Sequence, residues 1–182
     1  MRLLPADPGP RLIVATDGAA RGNPGPAGIG VVVTDGDGNV IAVLAEGIGE
    51  TTNNVAEYRA AIEGLRLAAR HGASRVMLRS DSRLLIEQLA GRFKVRTEHL
   101  RPLHAEALEL VRSFEKVTLA HVPRALNAHA DRLANDGVDA WLAARRRPAR
   151  GGGPYTGPEE PAGRPRSERA EESPDSTGQG AG

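Results

Sequence analysis

The spacing of apolar and polar residues predicts five strands and four helices. Short apolar runs bounded by turn residues are typical of strands, and apolar residues that recur every three to four positions are typical of amphipathic helices. The predicted strands are residues 11–17, 29–34, 40–47, 75–80 and 117–122. The predicted helices are residues 53–70, 82–90, 97–114 and 127–143.

Turn residues separate these elements and indicate how they connect. Residues 35–39 read Asp-Gly-Asp-Gly-Asn, which is typical of a hairpin turn. Residues 18–28 are rich in glycine and proline and predict a longer turn, while Gly72 is expected to end the first helix. Three strands joined by turns, followed by helices alternating with strands, predict an α/β fold. We expect a mixed five-stranded sheet, a three-stranded antiparallel meander plus two parallel strands, with helices on both faces.

Composition narrows the class of protein. The chain has 182 residues, of which 40% are hydrophobic, so a sizeable core is expected. With no cysteine, disulfides and thiolate metal sites are excluded. No apolar run approaches the ~18 residues of a membrane span, and the N-terminus does not resemble a signal peptide, so we expect a cytoplasmic protein without a membrane partner. A net charge of +1 agrees with nucleic-acid binding without requiring it.

The same pattern divides the chain into three segments. Residues 1–10 are interpreted as an N-terminal extension and residues 11–145 as the folded domain. Residues 146–182 are rich in glycine and proline and carry almost no large apolar side chain, and residues 149–182 are acidic overall. Such a segment buries too little apolar surface to offset its chain entropy, so we expect a disordered tail or linker.

Four carboxylates stand at informative positions. Asp17 and Asp81 end predicted strands, Glu57 lies one turn into the first helix, and Asp131 lies on the last helix. Each has an ordinary alternative role. Asp17 could be a turn residue, Asp81 a helix cap, Glu57 a first-turn acid and Asp131 a solvated surface charge. Together they indicate one site, because the carboxyl ends of parallel strands line the crevice where α/β sheets bind ligands. Converging acids require a counter-charge, which Mg²⁺ commonly supplies.

Around these acids the chain resembles the type 1 ribonuclease H family. The resemblance covers about residues 11–142 and follows the family's order and approximate spacing. It is closer still to the N-terminal ribonuclease H domain of actinobacterial two-domain proteins that carry a phosphatase-like C-terminal domain. The matching stretches are Thr16-Asp17-Gly18, residues 22–28 (GNPGPAG), residues 52–57 (TNNVAE), Ser80-Asp81-Ser82 and residues 127–134.

The resemblance implies an endoribonuclease that cuts the RNA strand of RNA–DNA hybrids and leaves 5′-phosphomonoesters. It implies two Mg²⁺ ions, with Mn²⁺ as a substitute. Asp17 would bridge both ions, Glu57 and Asp81 would complete one site, and Asp131 would complete the other. The implied partners are the hybrid and, as a further candidate, double-stranded RNA. The protein is expected to be a monomer, with a phosphatase-like domain conceivable beyond this chain.

Substrate-binding residues are also implied by the resemblance. Asn23 and Asn53 would read 2′-hydroxyls, the group that distinguishes RNA from DNA. Thr52 and the amides at the helix N-terminus would hold a DNA phosphate. Phe93 and Lys94 would pack on the DNA strand, or else Phe93 belongs to a charged loop and caps the core. The full implied set is Gly18, Asn23, Thr52, Asn53, Asn54, Arg83, Phe93 and Lys94.

The loop before the last helix departs from many family members, which carry a histidine there. This chain has a shorter loop, with Arg124 as the candidate for orienting phosphate or helping product leave. The alternative is an ordinary loop arginine. His121 is expected in the fifth strand and His129 on the protein surface, away from the face of Asp131.

Other functional classes stay as alternatives. The first is a catalytically silent module that binds hybrid or double-stranded RNA, which the presence of all four acids disfavours. Another nuclease on this fold is disfavoured by the stretches around Asn23 and Asn53. The tripeptide Arg70-His71-Gly72 matches histidine phosphatases, but it ends a predicted helix rather than a strand.

Overall fold

The structure, a computed structural model, describes residues 11–146. The predicted N-terminal extension and all but the first residue of the predicted tail lie outside the described residues. In the described part of the chain, no helix combines the length and the apolar character needed to cross a membrane.

Five strands and four α-helices make up the described part. The strands are β1 (Arg11–Ala20), β2 (Gly25–Thr34), β3 (Val40–Thr51), β4 (Arg75–Ser80) and β5 (Lys116–His121). The helices are α1 (Asn53–Arg70), α2 (Arg83–Leu89), α3 (Arg101–Ser113) and α4 (Ala128–Arg146). Single 3₁₀ turns occupy Glu98–Leu100 and Arg124–Leu126.

The strands form one mixed sheet in the order β3-β2-β1-β4-β5. β1, β2 and β3 form an antiparallel meander, whereas β1, β4 and β5 are parallel. This arrangement confirms the predicted fold class. Because β1 and β4 are adjacent and parallel, their carboxyl ends lie at the same edge of the sheet.

The prediction of a long turn at residues 18–28 was wrong. β1 continues to Ala20 and β2 begins at Gly25, so only residues 21–24 turn. Gly18 pairs with Ile29 and Ala20 pairs with Ala27 across the hairpin. Glycine and alanine have low strand propensity, but here the ladder of backbone hydrogen bonds decides the conformation. β3 likewise runs beyond its predicted end at residue 47, as far as Thr51.

The helix predicted at residues 97–114 is shorter in the structure. A 3₁₀ turn occupies Glu98–Leu100, and α3 begins at Arg101. Pro102 explains the start, because proline lacks an amide hydrogen and is tolerated only in the first turn of a helix.

The main core lies between the sheet and α1. Val14 on β1 and Tyr58, Ile62 and Leu65 on α1 are at most 3% exposed. Burial of each such side chain contributes about 1.5–3 kcal/mol. The hydroxyl of Tyr58 donates to Oε1 of Gln88 on α2 at 2.8 Å, which satisfies the one polar atom that this ring brings into the core.

The opposite face of the sheet carries α4, which lies directly on β2. A Cβ atom at Gly30 would lie 2.0 Å from the carbonyl oxygen of Ala130 and 2.5 Å from the amide nitrogen of Ala134. The absence of a side chain at Gly30 therefore permits this close approach. Asp131 follows Ala130, so the contact also positions the fourth acid, and Gly30 itself pairs with Asp17 on β1.

We expect Gly30→Ala to destabilise the protein by about 1–3 kcal/mol, since an added methyl group would force α4 away from the sheet. Denaturant unfolding of the variant and the wild type measures the difference. Gly36→Ala is the matched control, because a Cβ there meets nothing within 4 Å. Equal stability of Gly30→Ala and wild type would contradict the close packing of α4.

Candidate active site

Three of the four predicted acids meet at the carboxyl edge of β1 and β4. Asp17 lies on β1, Asp81 follows the last residue of β4, and Glu57 lies in the second turn of α1. One carboxylate oxygen from each lies within 4.8 Å of the others. The structure therefore brings together side chains that are up to 64 positions apart in the sequence.

Close contact between β1 and α1 holds Glu57 beside Asp17. A Cβ atom at Gly18 would lie 2.2 Å from the amide nitrogen of Glu57 and 2.3 Å from the carbonyl carbon of Ala56. Only glycine allows the helix to approach the strand this closely. Gly18 was predicted as a substrate contact, and its packing role against α1 was not anticipated.

Burial and mutual repulsion perturb two of the acids. Asp17 and Glu57 are each 5% exposed. Burial, followed by repulsion from Asp81, raises the pKa of Asp17 from 3.8 to about 7. Burial, followed by repulsion from Asp17 and Asp81, raises the pKa of Glu57 from 4.5 to about 9. Perturbed carboxyl groups of this kind cluster at functional sites.

Asn127 is a site residue that the sequence analysis did not single out. It is 2% exposed, and its Nδ2 donates to the carbonyl oxygen of Thr16 at 2.9 Å and to Oδ1 of Asp81 at 3.1 Å. This amide ties the start of α4 to β1 and orients the Asp81 carboxylate. The only sequence signal for a role of Asn127 in the site was its position as the first residue of the stretch that leads to Asp131.

Asp131 lies in the first turn of α4 and lines the same cavity as the other acids, outside the tight group of three. Its Oδ1 accepts from Nη2 of Arg124 at 2.6 Å. The ion pair raises the pKa of Arg124 further. Arg124 is 77% exposed, so the guanidinium is free to exchange Asp131 for another anion.

The cavity above the acids has a volume of about 440 Å³ and is open to solvent. Oε2 of Glu57 is buried and has no hydrogen-bond partner. An unsatisfied buried carboxylate oxygen and an all-oxygen set of donors fit a hard divalent cation. Asp17, Glu57 and Asp81 are therefore suited to bind such a metal.

Several predicted substrate-binding residues lie beside the cavity. Thr52 caps α1, accepting from the amide of Val55 at 3.4 Å. The amide of Asn53 donates to Oδ1 of Asn23 at 3.2 Å, so these two residues are in contact. Asn54, the second residue of α1, is exposed.

The remaining predicted substrate-binding residues lie outside this cavity. Arg83 is the exposed first residue of α2. Phe93 and Lys94 line a separate cavity of about 490 Å³ after α2. Phe93 is 45% exposed, so part of its ring is accessible from this cavity.

Comparison with known proteins identifies the family. Residues 15–137 match the family model described as "Reverse transcriptase-like". Ribonuclease HI of Halobacterium salinarum is 44% identical over 133 residues, which are 73% of this chain and 67% of that protein. This chain belongs to the ribonuclease H family.

Two further relatives agree. The bifunctional protein Rv2228c of Mycobacterium tuberculosis is 46% identical over 131 residues, which are 71% of this chain and 36% of that protein. The structure of its N-terminal RNase H domain gives a TM-score of 0.69 at 45% identity, covering 71% of this chain and 99% of that one. LC11-RNase H1 was isolated from compost and solved in complex with an RNA/DNA hybrid. Its structure gives a TM-score of 0.69 at 42% identity, covering 72% of this chain and 99% of that one.

This ribonuclease H chain spans about a third of the length of Rv2228c, which matches the predicted resemblance to one domain of a two-domain protein.

The alternative in which Asp81 is only a helix cap is excluded, because Ser82 caps α2 by accepting from the amide of Leu85 at 3.4 Å. The alternative for Asp17, a turn residue, was wrong as well, because Asp17 lies within β1.

The histidines of this ribonuclease H chain lie apart from the carboxylates of the site. His129 is exposed on α4, as expected. His121 ends β5, also as expected, and its Nε2 lies 3.2 Å from the backbone carbonyl oxygen of Asp81. His71 caps the carboxyl end of α1 and therefore lacks the strand setting that a phosphatase nucleophile requires.

In metal-free buffer, we expect Asp17→Asn to melt at the same temperature as wild type near pH ~4 and at a higher temperature near pH ~8. A carboxyl group whose pKa is raised in the folded state stabilises the fold below its ordinary pKa and loses this contribution as pH rises through the folded value. For Asp17 that loss ends near pH 7. Asparagine does not ionise and avoids the loss.

Thermal melts across this pH range with a chelator present measure the effect. Asp136→Asn is the control, because Asp136 is an exposed acid on α4. The melting temperature of Asp17→Asn minus that of the wild type should be larger at pH ~8 than at pH ~4. A smaller difference at pH ~8 would contradict the electrostatic repulsion inferred for the cluster.

Proposed function

We propose that this chain is an endoribonuclease that hydrolyses the RNA strand of RNA–DNA hybrids and leaves 5′-phosphates. The observation that carries the proposal is the cluster of Asp17, Glu57 and Asp81 at the floor of an open cavity. Membership of the ribonuclease H family and the hybrid-bound structure of LC11-RNase H1 support the substrate. All of these residues lie within 11–145, which we propose as the catalytic unit.

The proposed reaction uses two divalent cations, Mg²⁺ or Mn²⁺ as its substitute. Asp17, Glu57 and Asp81 would hold one ion, and Asp17 with Asp131 would hold the other. A pair of such ions supplies Lewis-acid activation of water and neutralises charge on the leaving oxygen. The unsatisfied Oε2 of Glu57 and the pKa values of Asp17 and Glu57, raised by burial and by repulsion among the acids, support this assignment, because a bound cation would offset each of them.

The protein's own residues would hold the hybrid on both sides of the cut. Asn23 and Asn53 are in contact with each other, and Asn53 lines the cavity of the acids. We expect both side chains to contact the 2′-hydroxyls of an RNA strand that reaches the acids. Gly18 would face the RNA ribose. Thr52 and the amides of the first turn of α1, including that of Asn54, would bind a phosphate of the DNA strand.

A second contact with the DNA strand would come from the loop after α2. Phe93 exposes an aromatic ring beside Lys94, and both line the same cavity. An exposed ring next to a cation suits a sugar–phosphate backbone. Arg83 would add a phosphate contact from the start of α2. Few cations take part, so we expect affinity to be modest and to fall with salt.

Arg124 would stabilise negative charge rather than transfer protons. Its pKa lies above that of any working buffer, so it cannot serve as a base. Its ion pair with Asp131 places the guanidinium at the rim of the cavity. There it would brace the scissile phosphate or the cut end, while Asp131 turns to the cation.

We expect Mg²⁺-dependent cleavage of a labelled RNA–DNA hybrid, no cleavage of a matched double-stranded DNA, and loss of activity to background in Asp17→Asn. Asp17 would contact both ions, so its loss removes both sites. Gel assays with these substrates, and with a matched double-stranded RNA, measure specificity. Asp136→Asn controls for the loss of one negative charge. Mg²⁺-dependent cleavage by Asp17→Asn would overturn the mechanism.

We expect Arg124→Ala to slow turnover by about 10² while changing hybrid affinity little, the lower end of the range for losing one contact to developing charge. His129→Ala should behave as wild type, because His129 is exposed on α4 and is not among the residues that line the cavity of the acids. Single-turnover and steady-state cleavage of one hybrid distinguish the two effects. A crippled His129→Ala with a normal Arg124→Ala would reverse the assignment.

A further inference from the structure

A row of three cations crosses the sheet at the edge opposite the acidic cluster. Arg11 begins β1, Arg75 begins β4 and Lys116 begins β5. The parallel registers pair Arg11 with Arg75 and Arg75 with Lys116. Paired residues on adjacent strands point to the same face and lie about 5 Å apart, so the three side chains share one small region.

Nothing in residues 11–146 balances this cation row. The ion pairs of that part of the chain join other residues, and none reaches Arg11, Arg75 or Lys116. Like charges directly opposite one another destabilise a sheet. The row is therefore an arrangement that a bound anion would stabilise.

The cation row also encloses space and leaves a donor unsatisfied. Its three residues line a cavity of about 120 Å³ together with Val76 and Thr118. That volume is several times the ~10–15 Å³ that one water needs. Nε of Arg75 is buried and has no hydrogen-bond partner. A buried donor without an acceptor is costly, so this atom independently indicates a ligand that accepts hydrogen bonds.

We propose that the cation row is a binding site for a phosphate group. A tetrahedral oxyanion offers several acceptors at once, which matches two guanidinium groups, one ammonium group and the hydroxyl of Thr118. The site lies about 20 Å from the acids, taking ~3.3 Å per residue from Arg11 to Asp17 along β1. It is thus separate from the site of cleavage. The phosphate belongs either to a small free anion or to a nucleic-acid strand that extends beyond the cleaved region.

Thermal melting tests the free anion. When inorganic phosphate replaces chloride at equal ionic strength, we expect the melting temperature of the wild type to rise by about 5 °C, as for a ligand that binds the folded state alone. Arg11→Gln and Lys116→Gln should lose most of this rise. Arg112→Gln, which removes an exposed charge on α3, should keep it. In chloride, Lys116→Gln should melt no lower than wild type, because it relieves repulsion within the row.

Fluorescence anisotropy with a single-stranded RNA oligonucleotide tests the strand. If the phosphate belongs to a nucleic acid, Arg11→Gln and Lys116→Gln should weaken oligonucleotide binding several-fold more than Arg112→Gln does. Cleavage of a short blunt hybrid should stay unchanged in all three variants. A loss confined to the two row variants in either assay supports the site and identifies the source of the phosphate. If the two row variants match Arg112→Gln in the melting assay and also in the anisotropy assay, the proposal is overturned.

Discussion

Repulsion among Asp17, Glu57 and Asp81 is the interaction on which the rest of the site depends. Their oxygens lie within 4.8 Å of one another, and two of the three side chains are almost fully buried. An isolated cluster of this kind would separate or take up protons. It is held together by backbone contacts that do not depend on charge, above all the contact of α1 with β1 at Gly18. The energy of the packed core thus maintains a site that is electrostatically unfavourable and that a bound cation would stabilise.

The polar groups around the cluster divide the acids into two kinds. Asp81 is oriented by Asn127, which joins α4 to β1 through buried hydrogen bonds. Asp131 is instead held by an exposed arginine that can release it. Acids that are held rigidly, together with one acid that can change partner, suit a reaction in which negative charge develops on the leaving group and then departs with the product. The contrast arises from burial, since a buried hydrogen bond is exchanged for water less readily than a surface ion pair.

The parallel strands carry opposite charge at their two ends. Asp17 lies towards the carboxyl end of β1 and Asp81 follows β4, whereas Arg11, Arg75 and Lys116 begin these strands and β5. The net charge of +1 conceals this separation. A cation at one edge and a phosphate at the other would each relieve local repulsion, so the sheet is suited to two ligands of opposite sign.

Much of the fold was readable from the sequence because periodicity reports local burial. The short apolar run of β4 and the helical spacing of Tyr58, Ile62 and Leu65 predicted elements that the structure confirms within a few residues. The four acids were readable as well, since carboxylates at strand ends and in a first turn are rare in such combination. Their order along the chain also matched a known family.

Tertiary structure decided the features that depend on pairing between distant residues. The hairpin of β1 and β2 extends through residues 18–20 because each strand completes the hydrogen bonds of the other, which local propensity does not encode. Asn127 became a site residue only when α4 packed against β1, and three unremarkable cations became neighbours only through the register of β1, β4 and β5. Local pattern determines which segments form strands and helices. Side-chain contacts across the sheet are determined by strand register and close packing, which involve residues far apart in the chain.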